Sequence, residues 1–381
     1  MNILSELENR YISLRKAMKE DKLDALIVYG TPETNGRGNL RYLTGWRIPS
    51  RNAYLFVPFD GEPTMICTTK GHMQTAQKIG FIKDVRWTEC LYELYPFKPA
   101  EILGQLSAGL PGSNPHIGIA GSPRSLGLTA PEFETIKQLA PKATFTHTYN
   151  ILRDIRAVKN SAELSSTVEA SALADLAHDV TMRSLKKGIQ EIGVFAEIYR
   201  ELFLQGLEDT LFLVDSEAKN SFIHHPSRRV VEQGDLFLLS VEVSSGPEGY
   251  WSQIARPISV GPASPCSERL FEVALEAENA GKEYLREGCP ISDVAKSMIK
   301  VITDAGCRAG HWVGHGMGLD LGEYPPVSTE VDDILLEGTI ITLHPYIYDA
   351  EGNGMFYGNT FAVGKTEVIE LTHAPKQLLS V

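Results

Sequence analysis

Apolar and polar positions alternate along this chain in two textures. In the first, short apolar runs predict buried strands at Ala25–Tyr29 (ALIVY), Tyr54–Phe59, Thr64–Thr68 and Ile117–Ala120. Amphipathic stretches at 3–21, Gly71–Ile79 and Ala130–Leu139 predict helices between them. Asp60-Gly61 marks a turn between two of the strands. Strands and helices taken in alternation make an α/β layer domain.

The second texture begins beyond Arg153. Ile151–Lys159 (ILRDIRAVK) is polar and leads to Ser161, which is read as a helix N-cap followed by Glu163 and Leu164. A long helical pattern runs from there to Lys187, and further helices are expected at 190–205, 267–286 and 291–305. Apolar segments at Leu236–Val243, Tyr250–Val260, Thr339–Leu343 and Thr360–Val363 predict strands. Paired helices with an antiparallel sheet make an α+β domain. The boundary falls near residue 155, giving domains 1–155 and 156–381.

Composition narrows the classes. The chain has 381 residues, 43% hydrophobic and 22% charged, which suits two globular domains with real cores. A net charge of −12 and the lack of a Lys/Arg-rich run argue against nucleic acid and anionic membrane as partners. The N-terminal stretch Met1–Glu20 is charged and carries no apolar signal core, and no run of about 18 apolar residues occurs. Cys67, Cys90, Cys266, Cys289 and Cys307 are scattered and form no C-x-x-C pair, so no disulfide framework or zinc ribbon is expected. A cytoplasmic protein with a small-molecule or peptide ligand is the expectation. No phosphate-binding loop, dinucleotide fingerprint or G-x-S-x-G elbow is present.

Unusual polar residues cluster on or beside predicted strands in five segments of the second half. These are His224-His225-Pro226, Glu242 to Arg256, Gly310 to Pro326, His344 to Tyr348, and Phe356 to Thr360. Strand ends that project polar side chains towards one place build a pocket. Each residue also has a structural reading. His224 and His225 suit a surface loop, His315 a packed strand position, and His344 a satisfied core. Glu242 and Gln253 suit a solvated sheet face, Arg51 a surface ion pair, and Glu323 a turn before Pro325. Tyr250, Trp251 and Tyr357 suit packing or a pocket wall.

The order of GDLFLLSVEVSSGPEGYWSQIAR (Gly234–Arg256), GHGMGLDLGEYPP (Gly314–Pro326), EGTIITLHPYIY (Glu337–Tyr348) and FYGNTFAV (Phe356–Val363) resembles the pita-bread domain of the creatinase, prolidase and aminopeptidase P family. LRDIRAVKNSAEL (Leu152–Leu164) resembles the entry into that domain, and the first half is similar to the creatinase-type accessory domain. The metallo-members hold two divalent ions with two Asp, one His and two Glu. Carried over position by position, the first Asp falls on Glu242 counting back from Gly249-Tyr250, or on Ser240 counting forward from Gly234-Asp235. The second Asp is Gln253, the His is His315, and the two Glu are His344 and Gly358. The second His of the family falls on Gly322, ahead of Glu323. Bridging anions are what let two cations sit close together, so an ordinary dimetal Xaa-Pro aminopeptidase is not expected from these residues.

Creatinase, which works without metal, then supplies the leading expectation: a metal-independent hydrolase of a C–N bond in a small polar, carboxylate-bearing substrate. In it His224 (or His225) is the acid and base, and His315 and His344 polarise the substrate. Arg51, Glu242, Tyr250, Gln253, Glu323 and Tyr357 bind it, with no metal and no cofactor. The resemblance also implies a homodimer in which the N-terminal domain, through Arg51, contributes to the partner's pocket. The creatinase carboxylates fall on Ala255 and His344, so creatine itself is not the expected substrate. Two alternatives remain open at this stage. One is a mononuclear metal enzyme using Glu242, His315 and His344. The other is a non-catalytic binding protein.

Overall fold

The computed structural model describes residues 3–88, 98–121, 127–217, 219, 222–310 and 312–381. Two compact units emerge, Met1–Arg156 and Ala157–Val381. Cys90 lies outside the described residues, and Cys67, Cys266, Cys289 and Cys307 are free thiols.

The first unit contains helices α1 (Ile3–Glu20), α2 (Gly38–Thr44), α3 (Lys70–Ile79), α4 (Lys98–Ala108), α5 (Ala130–Leu139) and α6 (Tyr149–Ala157). Its strands are β1 (Ala25–Gly30), β2 (Ala53–Pro58), β3 (Thr64–Cys67), β4 (Asp84–Trp87), β5 (His116–Ala120) and β6 (Thr144–His147). They form one mixed sheet in the order β4-β3-β2-β1-β5-β6. Ala25, Ile27, Tyr54, Phe56, Ile66, Ile117 and Ile119 pack from its strands against Leu103 and Ile136 of α4 and α5. The apolar runs that predicted β1, β2, β3 and β5 are buried on both faces, which is why they read so clearly.

The second unit holds α7 (Ser161–Ser184), α8 (Glu191–Leu204), α9 (Pro265–Lys282) and α10 (Ile291–Asp304). Its N-cap is Asn160 rather than Ser161. The Asn160 side chain accepts from the backbone N–H groups of Ala162 and Glu163, and Glu163 reaches back to close a capping box. Strands β7 (Leu207–Asp215), β8 (Leu236–Ser245) and β9 (Trp251–Ser259) pair antiparallel, with β18 (Leu379–Ser380) on the far edge. A second sheet runs β12 (Glu323–Pro326), β11 (Gly314–Gly316), β13 (Ile340–Leu343), β16 (Asn359–Ala362) and β17 (Ile369–Glu370). Three short strands, β10 (Arg308–Ala309), β14 (Tyr346–Tyr348) and β15 (Gly354–Phe356), make a third. β7 was not among the expected strands, because Glu208, Asp209 and Thr210 break its apolar run. No helix among the described residues is long and apolar enough to cross a membrane.

β8 is buried along its whole length. Phe237, Leu239, Val241 and Val243 face α7 and α8. Leu236 and Leu238, on the other face, join α9 and α10. The same face continues as Ser240, Glu242 and Ser244, so its polar end is also enclosed.

The first and second sheets of this unit meet at a short seam. Ala255 and Gly358 exchange both backbone hydrogen bonds, at 3.0 and 3.1 Å. Beside them the buried Arg256 guanidinium donates to the carbonyls of Ala255, Gly358, Ala374 and Pro375 and to Asn359 Oδ1. Asn359 in turn donates to the Glu278 carboxylate from α9, at 2.8 and 3.0 Å. Arg256→Met removes five donations from this network and takes from the buried Ala374 carbonyl its donor, so we expect it to lower stability by ~3 kcal/mol. The urea-unfolding midpoint, compared with wild type, checks this.

Candidate active site

The register of β8 and β9 pairs Glu242 with Gln253 and Ser240 with Ala255. Paired residues on neighbouring strands point to one face. Gln253 Nε2 accordingly donates to Glu242 Oε1 at 3.4 Å. The pairing therefore sets Glu242, rather than Ser240, beside Gln253. Both side chains are almost wholly buried, at 6% and 3% exposure. Among the described residues no cation lies against Glu242, and burial lifts its carboxyl from the ordinary 4.5 to about 8.

The row continues across the seam. Thr360 Oγ1 accepts from the Gln253 N–H at 3.0 Å and donates to the Gln253 carbonyl at 2.9 Å. Thr360 pairs with Thr342, and Thr342 with His315. Glu242, Gln253, Thr360, Thr342 and His315 thus occupy one continuous line across two sheets. His344 follows β13, its N–H donating to the Val313 carbonyl. The His315 and His344 rings meet edge to face at 5.0 Å. His315 Nδ1 lies 2.9 Å from the Gly316 carbonyl, which only accepts, so Nδ1 carries a proton there. The Phe356 ring lies 5.8 Å from His344, and the half-exposed Trp312 ring 6.0 Å from His315.

Two metal ions do not fit these residues. Gln253, His344 and Gly358 fall where the resemblance puts carboxylates, and Glu242 is the one acid among these four residues. Gly358 leaves no room for an acid: a Cβ there would sit 2.7 Å from the His344 Cβ and 2.7 Å from the Leu343 carbonyl oxygen. Among the described residues no three His, Cys, Asp or Glu side chains are grouped to hold a metal. The three-residue set of Glu242, His315 and His344 is therefore not assembled either.

The remaining expected residues are placed as follows. His224 bridges to Val214, its Nδ1 lies 2.8 Å from the His225 carbonyl, and its Nε2 lies 4.0 Å from the buried Glu191 carboxylate. Neither His315 nor His344 is among its contacts. Tyr250 donates its hydroxyl to Glu163 at 2.7 Å. Glu323 forms a buried ion pair with Lys159 at 3.2 Å and accepts from the Asp320 N–H. Tyr357 is fully enclosed, edge-on to Phe271 and under the Arg256 guanidinium, and its hydroxyl accepts from Asn359. Tyr250, Glu323 and Tyr357 are thus each paired with a partner within the fold. Arg51 is exposed in the first unit, with a left-handed φ of 59°. Burial, then the Arg51 charge, lower the pKa of His72 in the same unit.

Sequence reasoning passed over Thr360, Thr342, Lys159 and Trp312. The signal for the enclosed polar stripe was the alternation Ser240-x-Glu242-x-Ser244, which a strand turns to a single face.

Two family descriptions match the chain: Creatinase/Prolidase N-terminal domain over residues 10–158, and Metallopeptidase family M24 over residues 166–365. A Bacillus subtilis (strain 168) protein, YkvY, provisionally named a dipeptidase, is 30% identical over 65% of this chain and 69% of its own. An Xaa-Pro dipeptidase of Pyrococcus horikoshii is 24% identical over the full length of both chains. The crystal structure of the prolidase from Pyrococcus horikoshii OT3 superposes with a TM-score of 0.83 at 23% identity, covering 97% of this chain and 100% of the other. The two-domain fold with a C-terminal pita-bread domain is therefore as expected. The functional expectation is corrected. Relatives named Xaa-Pro dipeptidase overturn the creatinase-like, metal-independent C–N hydrolase and the exclusion of Xaa-Pro peptidases.

The buried carboxyl carries a pH signature. Between pH 5 and 8 Glu242 holds its proton in the folded chain and loses it in the unfolded chain, so stability falls as pH rises and levels off above about 8. The Glu242 share of that slope approaches ~1.4 kcal/mol per pH unit. Glu278, raised to about 7 by burial, adds a component of the same sign. Urea unfolding at pH 5, 6, 7 and 8 should show a shallower decline for Glu242→Gln than for wild type, with the Glu278 component retained.

Proposed function

The chain belongs to metallopeptidase family M24, and on that premise we propose that its ligand is a short peptide of the Xaa-Pro dipeptide kind for which its relatives are named. The ligand would lie along the line from Glu242 and Gln253 to His315 and His344. The observation that carries this reading is the buried Glu242–Gln253 pair, which sits on the two strands where the resemblance puts the family's first carboxylates and is held to the second sheet by Thr360. Such a peptide is polar at both ends and apolar between them. The line offers hydrogen-bond acceptors at one end, imidazoles at the other, and the Phe356 and Trp312 rings alongside. An indole face suits the flat, apolar ring of proline.

These residues bind and orient, and no bond-breaking step is assigned to them. A homodimer is part of the proposal; a single species near the monomer mass of 42.0 kDa in sedimentation velocity would remove it.

Calorimetric titration of the full chain with Ala-Pro, Leu-Pro and Ala-Gly, with released proline assayed on the same samples, tests the reading. Saturable binding that favours the Xaa-Pro peptides supports it, and released proline would add dipeptidase activity. Absence of binding to all three overturns it. Trp312 is 54% exposed, so its removal spares the core. Trp312→Ala should weaken Ala-Pro binding by roughly 1 kcal/mol, about fivefold in Kd, and leave Ala-Gly nearly unchanged.

A further inference from the structure

We infer that the outward stripe of helix α8 is an interface, and that what covers it is the same stripe of a second copy of this chain. The inference is independent of the short-peptide reading. It concerns a surface of the second unit, whereas Arg51 belongs to the first.

α8 is apolar over two neighbouring stripes. Val194, Phe195, Ile198 and Leu202 turn inwards and join the core with β8 and β9. Ile192, Ala196, Tyr199 and Phe203 stand at i, i+4, i+7 and i+11, which brings them to a second stripe turned to solvent. Ile192, Tyr199 and Phe203 are 47, 49 and 61% exposed, so the described residues leave this stripe uncovered. The Tyr199 and Phe203 rings stack at 5.8 Å with their planes 12° apart, which presents a flat aromatic surface. Single exposed apolar residues are ordinary. Here the two stripes together span far more than the ~100° a surface helix needs to face its own core, and such a helix is normally enclosed on both sides.

Charge and shape select the occupant. The stripe itself carries no charge, in a chain of net charge −12, and its flank holds Glu197 and Glu201 beside Arg200, which suits an anionic membrane poorly. The stripe does suit itself. Set two α8 helices antiparallel about a two-fold axis midway between Ala196 and Tyr199. Ala196 then faces the partner's Tyr199, and Ile192 faces the partner's Phe203. Small against large at the centre lets the two helices interlock. The same pairing brings Arg200 within one turn of the partner's Glu197. The guanidinium that now lies 3.4 Å from Glu197 and 2.6 Å from Glu201 on its own helix thereby gains an acid across the axis, and the symmetry supplies that contact twice.

Sedimentation velocity of the full chain at tens of micromolar tests the interface. Wild type should run as a dimer or a multiple of one. Tyr199→Glu/Phe203→Glu should run at half the wild-type mass, with a dissociation constant raised at least about a hundredfold. Both side chains are exposed in the single chain, so urea-unfolding midpoints should stay near wild type. Ala196→Arg is the second variant. It puts a good helix former at an exposed position and fills the space that the partner's Tyr199 needs. Dissociation of either folded variant upholds the interface. A wild-type species near 42.0 kDa overturns it together with the homodimer. One common larger mass for wild type and both variants overturns the α8 interface alone and leaves a homodimer through another surface.

Discussion

The second unit depends on a seam a few residues wide where two sheets are tied edge to edge. Ala255 and Gly358 share two backbone hydrogen bonds, and the Thr360 hydroxyl takes and gives one each with the Gln253 backbone. The hydroxyl thereby does what a strand backbone would do, so the pairing continues where the strands themselves diverge. Arg256 closes the back of the seam by gathering carbonyls from β9, from the start of β16 and from the C-terminal segment. The side chains that stand in line across the sheets do so because this seam fixes their register.

Glu242 is the one acid in the buried polar row of Glu242, Gln253, Thr360, Thr342 and His315. The buried Glu242 has no counter-charge among the described residues and answers by holding its proton to about pH 8. Glu278 and Arg256 show the other solution to burial. There a cation, a carboxylate and the Asn359 amide form one network, although burial still lifts Glu278 to about 7. One polar node is thus largely satisfied inside the chain, whereas Glu242 Oε2 and Gln253 Oε1 in the other have no hydrogen-bond partner among the described residues.

Much of this was legible in the sequence, for physical reasons that differ by element. β1, β2, β8 and β9 announce themselves because burial on both faces demands continuous apolar residues. β11, β12 and β15 are three or four residues long and rich in Gly or Pro, so only their tertiary partners make them strands. Counting along the chain could not choose between Ser240 and Glu242, because the turn at Gly246–Gly249 hides the register that cross-strand pairing reveals. Tyr250 and Glu323 looked available because their partners, Glu163 and Lys159, lie 87 and 164 residues away in sequence. The relatives' names changed the expected ligand, which no residue pattern had named.

The close fit at Gly358 also bears on what the seam can tolerate. A side chain there would set its Cβ 2.7 Å from both the His344 Cβ and the Leu343 carbonyl oxygen. The oxygen is backbone, and the Cβ is present in every residue but glycine at 344, so no exchange of the neighbour makes room. A seam this narrow and a position without a side chain are one constraint, and a larger residue at 358 would have to spread the backbones that the seam holds together.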